Sequence, residues 1–229
     1  MKIIFSVFLI FLQHTGFTQN VRIPDPAFRQ KVIALGYDTN DDGQIQVTEA
    51  QKLTKLYVNN LGIVNMEGIN SFINLEELGC YDNKLEALNV SKLKKLKYLY
   101  AYNNRISNLN ITGLTNLEHL YVQGNMFISE LDGSKFTKLK ELYFTDNRIT
   151  SLDVTGLEQL EKIEGANNRI ESAILRKALT LKSVNLENNP ITVTVDIRGL
   201  TNLEYFNFKG CNLIFINFSG TVNLKEYYW

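Results

Sequence analysis

The chain has 229 residues, of which 45% are hydrophobic, and its 24 basic side chains are balanced by 24 acidic ones. A neutral chain without basic clusters lacks the charge pattern of a nucleic-acid-binding protein and offers no polybasic site for a membrane surface. The length suits one domain or two small ones.

Residues 1–19 have the layout of a secretory signal. Lys2 is followed by an apolar run from Ile3 to Leu12, which is too short to span a bilayer core of about 30 Å. We expect cleavage near Thr18 or Gln19 and a mature protein that is secreted, either extracellular or on the cell surface. No later stretch predicts membrane insertion. The alternative is an ordinary buried first helix.

Residues 20–52 predict a small helical unit. Asp25 and Pro26 precede a run whose apolar members are Phe28, Val32, Ile33 and Leu35. Proline is favoured at the first helical position, so a helix is expected to begin near Pro26. The repeats that follow need a cap over the open end of their core, and this unit is the candidate for it.

A twelve-residue segment within this cap, residues 38–49, has the pattern of an EF-hand calcium loop. Calcium takes six to eight oxygen ligands, and Gly43 stands at the sixth position, where such loops turn sharply. The predicted ligands of one structural Ca²⁺ are Asp38, Asn40, Asp42, Gln44 (through its carbonyl), Gln46 and Glu49. Ile45 is expected to anchor the loop in the core. The alternative is an acidic turn that only caps a helix at Thr48 and Glu49.

From residue 53 to the end the chain repeats every 21 or 22 residues. The leucines that mark this period are Leu75, Leu96, Leu117, Leu139, Leu160, Leu181, Leu203 and Leu224. Each is followed by apolar residues three and five positions on, and, through the sixth of these units, by an asparagine at position eight; Cys211 takes that place in the seventh. Alternate residues of a strand point to opposite faces, so each unit predicts a short strand with its apolar side inward.

The pattern L-x-x-L-x-L-x-x-N/C-x-L resembles the leucine-rich repeat. The resemblance implies a leucine-rich-repeat solenoid, a curved right-handed superhelix with a concave parallel β-sheet and an irregular or 3-10 convex side. About eight units and a truncated last one fit residues 53–229. The asparagines are interpreted as structural, because their amides can satisfy backbone groups at the turn.

The two cysteines cannot pair with each other in such a fold. Cys80 and Cys211 lie six units apart, or about 28 Å at 4.8 Å per strand, whereas a disulfide needs Cα atoms within about 7 Å. Both are predicted to be buried free thiols.

The order of the cap and the repeats is similar to that of secreted bacterial leucine-rich-repeat proteins of the internalin-like kind. The segments that carry this resemblance are IPDPAF at residues 23–28 and DTNDDG at residues 38–43. It implies an extracellular or cell-surface binding protein, often an adhesin, without naming a partner.

The outward strand positions should form the concave face. Nine of the eleven tyrosines fall in its three columns, mostly in the N-terminal half. The predicted ligand-binding residues are Tyr57, Tyr81, Tyr98, Tyr100, Tyr102, His119, Tyr121 and Tyr143. Tyrosine is enriched at binding surfaces, but it also favours strands, so a structural stack of rings is the alternative. Gly79 and Gly124 were expected to leave room for a ligand.

A protein partner suits the wide, shallow face best, with a glycan ligand and a purely structural surface repeat as alternatives. An enzyme is not expected. His119 beside Glu141 is the one candidate pair, and no serine or cysteine nucleophile accompanies it.

The last residues, Tyr227, Tyr228 and Trp229, occupy positions four to six of a new unit. A strand ending there exposes a core edge, so either a longer gene was cut, which we favour, or another subunit covers the aromatic end.

Overall fold

The computed structural model describes residues 19–126, 131–132, 136–192 and 195–229, with backbone alone for residues 131–132. The predicted signal segment, apart from Gln19, lies outside these residues. The cap contains helix α1 (Pro26–Ala34) and the short helix α2 (Val47–Ala50), which begins within the last three residues of the predicted calcium loop. Asp25 is the N-cap of α1 and Pro26 is its first residue, so the predicted start is confirmed.

The described residues contain a nine-stranded parallel sheet whose spatial order follows the chain order. Its strands are Lys55–Tyr57, Glu77–Gly79, Tyr98–Tyr100, His119–Tyr121, Glu141–Tyr143, Lys162–Glu164, Ser183–Asn185, Tyr205–Asn207 and Glu226–Tyr228. Equivalent positions pair from unit to unit, as in Leu78 with Leu99. This register confirms the leucine-rich-repeat solenoid.

The opposite side of the solenoid is more regular than the sequence predicted. Beside turns and one 3-10 helix (Ile69–Ser71), the described residues include three small parallel sheets of two or three strands. Their strands are Ala87–Asn89, Asn108–Asn110, Leu131–Asp132, Ser151–Asp153, Ser172–Ile174, Val195–Asp196 and Ile216–Asn217. Only three residues per strand at most pair here, because each unit is short.

The core is one continuous apolar stack between these two sides. The middle residue of each concave strand from Leu56 to Phe206 is 3% exposed or less. The cap closes the N-terminal end, where Phe28 of α1 is fully buried and its ring centroid lies 6.0 Å from that of Phe72. Burial of a phenylalanine contributes about 1.5–3 kcal/mol, so this contact fastens the cap to the first units.

The asparagine column is structural, as predicted. Asn104 donates from Nδ2 to the carbonyls of Cys80 at 3.0 Å and Ala101 at 3.2 Å, and its Oδ1 accepts from the Leu85 amide at 3.0 Å. The same bridge between neighbouring units recurs at Asn125 and Asn168. These side chains satisfy backbone groups that would otherwise be buried without partners.

The cysteines are both unpaired. Cys80 is fully buried, and burial raises the pKa of its thiol to about 12. Cys211 is only half-buried, so that part of the prediction is wrong: its Sγ takes the place of the column asparagine and lies 3.3 Å from the Leu186 carbonyl.

Within the described ranges, no helix has the length and apolar character needed to cross a membrane.

Candidate functional site: the concave face and the cap loop

The three outward columns lie where the period places them. Tyr98 pairs with His119, and Tyr100 pairs with Tyr121, which in turn pairs with Tyr143. We call the eight predicted ligand-binding residues the aromatic block: Tyr57, Tyr81, Tyr98, Tyr100, Tyr102, His119, Tyr121 and Tyr143. Tyr57 is 39% exposed, and the other seven are half-buried.

The rings of the aromatic block stack in columns, nearly parallel to one another. Ring centroids are 4.6 Å apart for Tyr98 and His119, and 5.0 Å apart for Tyr100 and Tyr121. Tyr81 and Tyr102 stack at 4.4 Å in the third column. Tyr143 closes the middle column at 4.7 Å from Tyr121, with a tilt of 36°. The faces of the inner rings are therefore covered by their neighbours.

Two of the hydroxyls are held by carboxylates on the same face. Tyr57 donates to Glu77 at 2.6 Å, and Tyr121 donates to Glu141. Burial and these hydrogen bonds raise the pKa of both phenols. In contrast, the described residues offer no hydrogen-bond partner to the hydroxyls of Tyr98 and Tyr100. The block therefore combines fixed and free polar groups.

His119 of the aromatic block lies beside Glu141 of the next strand. The imidazole Nδ1 lies 3.2 Å from Oε2 of Glu141, although it is not aligned for a hydrogen bond. Burial acts to raise the pKa of Glu141, but the hydrogen bond from Tyr121 and the nearby imidazole lower it overall. The carboxylate therefore stays ionised at neutral pH.

The two glycines beside the block are not gaps for a ligand, and that expectation is wrong. A Cβ built on Gly79 would lie 2.4 Å from Cδ1 of Tyr57, so the Tyr57 ring already fills that space. Gly124 serves the turn instead: its φ is +65°, and a Cβ there would lie 2.6 Å from Oδ1 of Asn103. Glycine lets Tyr57 lie across the sheet toward Tyr100, whose ring centroid is 6.4 Å away.

The C-terminal half of the same face carries amides and carboxylates, which we call the polar half: Glu164, Asn185, Glu187 and Asn207. Asn185 donates from Nδ2 to Glu164 at 3.1 Å. One unit further, Asn207 donates to Glu187 at 3.0 Å. These four side chains therefore bond one another in pairs from unit to unit.

A row of alternating charges runs along the flank that precedes the concave strands. It occupies the position after each period leucine, and we call it the paired flank: Glu76, Lys97, Glu118, Lys140, Glu161, Lys182, Glu204 and Lys225. Each glutamate contacts the lysine of the next unit, with N to O distances of 2.8, 2.7, 2.7 and 2.8 Å in chain order. Our reading of the sequence missed this row, although its alternation is visible there.

The predicted calcium loop, residues 38–49, contains a tight turn around the Asp38 carboxylate. Asp38 accepts from the amides of Asp42 at 3.2 Å and Gly43 at 2.8 Å, and Gly43 has a φ of +76°. Ile45 is 1% exposed, as expected of the residue that anchors the loop. The loop therefore wraps around the carboxylate at its first position.

Glu49, the last predicted ligand, is held by protein donors. One carboxylate oxygen accepts from the amide and hydroxyl of Thr39, both at 2.6 Å, and the other accepts from the Gln46 amide at 2.9 Å. The last contact is part of a capping box on α2. No three acidic, histidine or cysteine side chains of the described residues come together as a metal-binding group. In this arrangement Glu49 is a capping residue.

Sequence reasoning missed two contacts of the cap, one within it and one to the first repeat units. Residues 19–21 run antiparallel to the end of the loop, with the Val21 amide 2.7 Å from the Ile45 carbonyl. Asp25 caps α1 with Oδ1, while its Oδ2 accepts from the Val64 amide at 2.9 Å. Asp25 before Pro26 indicated a helix start, but no local pattern indicated a partner 39 residues away.

This architecture is that of a leucine-rich-repeat solenoid with an N-terminal cap. A family model described as Leucine Rich repeats (2 copies) matches residues 94–136. No curated protein matches the chain.

Solved structures with the same fold come from bacteria and plants. Internalin C2 from Listeria monocytogenes matches with a TM-score of 0.74 and 23% identity over 90% of this chain and 94% of that one. YopM from Yersinia enterocolitica matches with a TM-score of 0.61 and 20% identity over 73% of this chain and 40% of that one. The leucine-rich-repeat ectodomain of the Arabidopsis thaliana receptor kinase GASSHO1/SCHENGEN3 has a TM-score of 0.58 and 23% identity, over 76% of this chain and 25% of that one. Solenoids of this fold typically serve as non-enzymatic modules for protein–protein interaction.

Proposed function

We propose that this protein is an extracellular or cell-surface binding module that holds a protein partner on the aromatic block. The observation that carries the proposal is the stack of nearly parallel rings in the N-terminal half of the concave face, whereas Tyr205 and Tyr228 in the other half are tilted by 55°. Tyrosines offer a large, rigid, amphipathic contact area and lose little conformational entropy on binding. Side chains that are already stacked in the free protein lose even less conformational entropy on binding, which favours affinity.

The stacking also favours a protein over a glycan. A sugar ring binds an aromatic residue across its face, but the inner faces of Tyr100 and Tyr121 are occupied by each other. What the block offers is ring edges and the hydroxyls of Tyr98 and Tyr100. Ring edges carry partial positive charge and suit the carbonyls and aromatic side chains of a protein surface.

The experiment replaces Tyr100, Tyr121 and Tyr143 together with serine. The matched control replaces Asn185, Asn207 and Tyr205 with serine in the C-terminal half of the same face. Host-surface or neighbouring-cell proteins captured by the wild type and the control should be lost from the tyrosine variant, while both variants keep the circular-dichroism spectrum of the wild type and unfold cooperatively. A purely structural stack would instead lower the melting temperature strongly without changing binding, and capture on a glycan array would make the ligand a sugar.

Secretion is part of the proposal and rests on the composition of residues 1–19. The full gene expressed in a secreting host should yield protein in the medium or at the cell surface. Mass spectrometry should then find a mature N-terminus near Gln19. An intact Met1 terminus on intracellular protein would contradict it.

We also propose that the cap loop binds one structural Ca²⁺. The donor types fit, since Asp38, Asn40 and Asp42 supply side-chain oxygens and Gln44 a carbonyl, and the loop is already folded around Asp38. Calcium would supply a clip between the loop and the solenoid. Binding requires Glu49 to exchange its contacts with Thr39 and Gln46 for the ion.

Glu49→Gln separates calcium binding from helix capping. Glutamine still satisfies a capping box, but it lacks the second carboxylate oxygen that calcium prefers. Thermal unfolding of the wild type should shift upward in calcium relative to chelator, and the melting temperature of the variant should be the same in both conditions. Equal melting temperatures of the wild type with and without calcium would leave the loop as an acidic turn.

A further inference from the structure

A second column of charge runs along the flank that follows the concave strands. It occupies the position after four of the six column asparagines, and we call it the basic strip: Lys84, Arg105, Arg148 and Arg169. All four side chains are exposed. Backbone bonds between successive units, such as Arg105 amide to Leu85 carbonyl at 2.9 Å, place these residues in one row at about 5 Å per unit.

The basic strip differs from the paired flank in one respect. Each lysine of the paired flank contacts a glutamate of the preceding unit. None of the four cations of the strip makes an ion pair or a side-chain hydrogen bond within the described ranges. Like charges on neighbouring units, as at Arg148 and Arg169, repel each other and favour an anionic partner between them.

The strip covers the same repeat units as most of the aromatic block. It begins with Lys84 in the unit of Tyr81 and ends with Arg169, one unit beyond Tyr143. In the next two units the position holds Pro190 and Asn212, which carry no charge. Met126, which is 41% exposed, separates the two basic pairs. Over these units the strip therefore presents two pairs of cations with an apolar side chain between them.

We propose that the basic strip binds an acidic polypeptide segment of the partner, one with two groups of carboxylates on either side of an apolar residue. This deepens the proposed function, since the partner is the protein held by the aromatic block. A polypeptide fits better than a nucleic acid because the exposed Met126 side chain between the two basic pairs suits an apolar side chain and not a phosphate of a continuous backbone. Complementary charge sets the orientation and the association rate of such a complex.

The test measures binding of fluorescent poly-L-glutamate to the full chain at low salt. Arg105→Gln, Arg148→Gln and Arg169→Gln together remove three charges from the strip. The matched control, Lys97→Gln, Lys140→Gln and Lys182→Gln, removes three from the paired flank. The strip variant should bind about tenfold more weakly, and the control should stay within about twofold of the wild type. Circular dichroism checks that both variants remain folded.

Several results would overturn the assignment. One is that the wild type does not bind poly-L-glutamate, and another is that the two triple variants lose the same affinity for it. A third is that duplex DNA binds more tightly than poly-L-glutamate and that this binding depends on the strip. The triple serine variant of the aromatic block separates this inference from the proposed function. It should lose the natural partner and keep poly-L-glutamate binding, because the strip does not depend on the rings. Loss of poly-L-glutamate binding in that variant would remove the strip as the binding site.

Discussion

The two halves of the concave sheet have the same backbone arrangement and differ in their outward side chains. In the N-terminal half, stacked rings form the aromatic block, whereas in the C-terminal half amides bond carboxylates from unit to unit. The inward residues are equally buried in both halves, as Leu99 and Val184 show. The inward positions of the strands therefore carry the shared core, and the alternate outward positions carry the residues that differ between the two halves.

The largest expected loss of stability comes from substitutions in the asparagine column, and it should be the same in the two halves. Asn104→Ala and Asn168→Ala each remove a buried amide and leave backbone groups of two units without partners. We expect each to lower the free energy of unfolding by about 3 kcal/mol, measured by urea denaturation. A loss confined to one half would show that the scaffold itself differs along the chain.

Substitutions of Gly165 and Gly79 by alanine should give stability losses of intermediate size. A Cβ on Gly165 would lie 2.2 Å from Cζ of Phe144 and 2.9 Å from Cδ2 of Leu186, inside the core. Gly165→Ala should therefore destabilise by about 1–3 kcal/mol through overpacking. Gly79→Ala should cost less, because Tyr57 is 39% exposed and its ring can move outward. Similar losses in thermal unfolding for both variants would mean that Tyr57 is locked as firmly as the core.

The smallest effect concerns single hydroxyls in the aromatic block. Tyr121→Phe removes the hydrogen bond to Glu141 and should destabilise by about 1–2 kcal/mol at pH 7. Tyr100→Phe is the control, because the hydroxyl of Tyr100 has no partner among the described residues, and its effect should be near zero.

The Tyr121 effect should also depend on pH, with a fixed sign. The pKa of Glu141 is below its ordinary value in the folded protein, so its contribution is full above about pH 4.5 and is lost as the pH falls through the folded pKa. The stability difference between wild type and Tyr121→Phe should shrink in that acidic range. A difference that stays constant from pH 7 to pH 3 would show that the hydroxyl acts without the carboxylate.

The periodic part of the structure could be predicted from the sequence, and the aperiodic part could not. The spacing of the leucines determines which residues point inward and which pair across the sheet, so the columns of Tyr98 and Tyr100 followed directly. How a side chain lies on the face depends on its neighbours in space. Tyr57 fills the place above Gly79, and nothing in the local sequence indicates that direction.

Contacts between residues that are distant in the sequence could not be predicted either. Asp25 reaches the amides of Val64 and Asn65 only because the cap folds back on the first unit. In the calcium loop, the pattern predicted the ligand positions, but the bonds from Thr39 and Gln46 to Glu49 emerged from the structure alone.

The alternation of the paired flank has a consequence for how this protein tolerates rearrangement. Excising a single unit, for example the one that contains Lys97, would place Glu76 beside Glu118 and turn attraction into repulsion. Excising two consecutive units would again place a glutamate beside a lysine in the row. The row therefore makes the pair of units, rather than the single unit, the natural increment by which this chain can be lengthened or shortened.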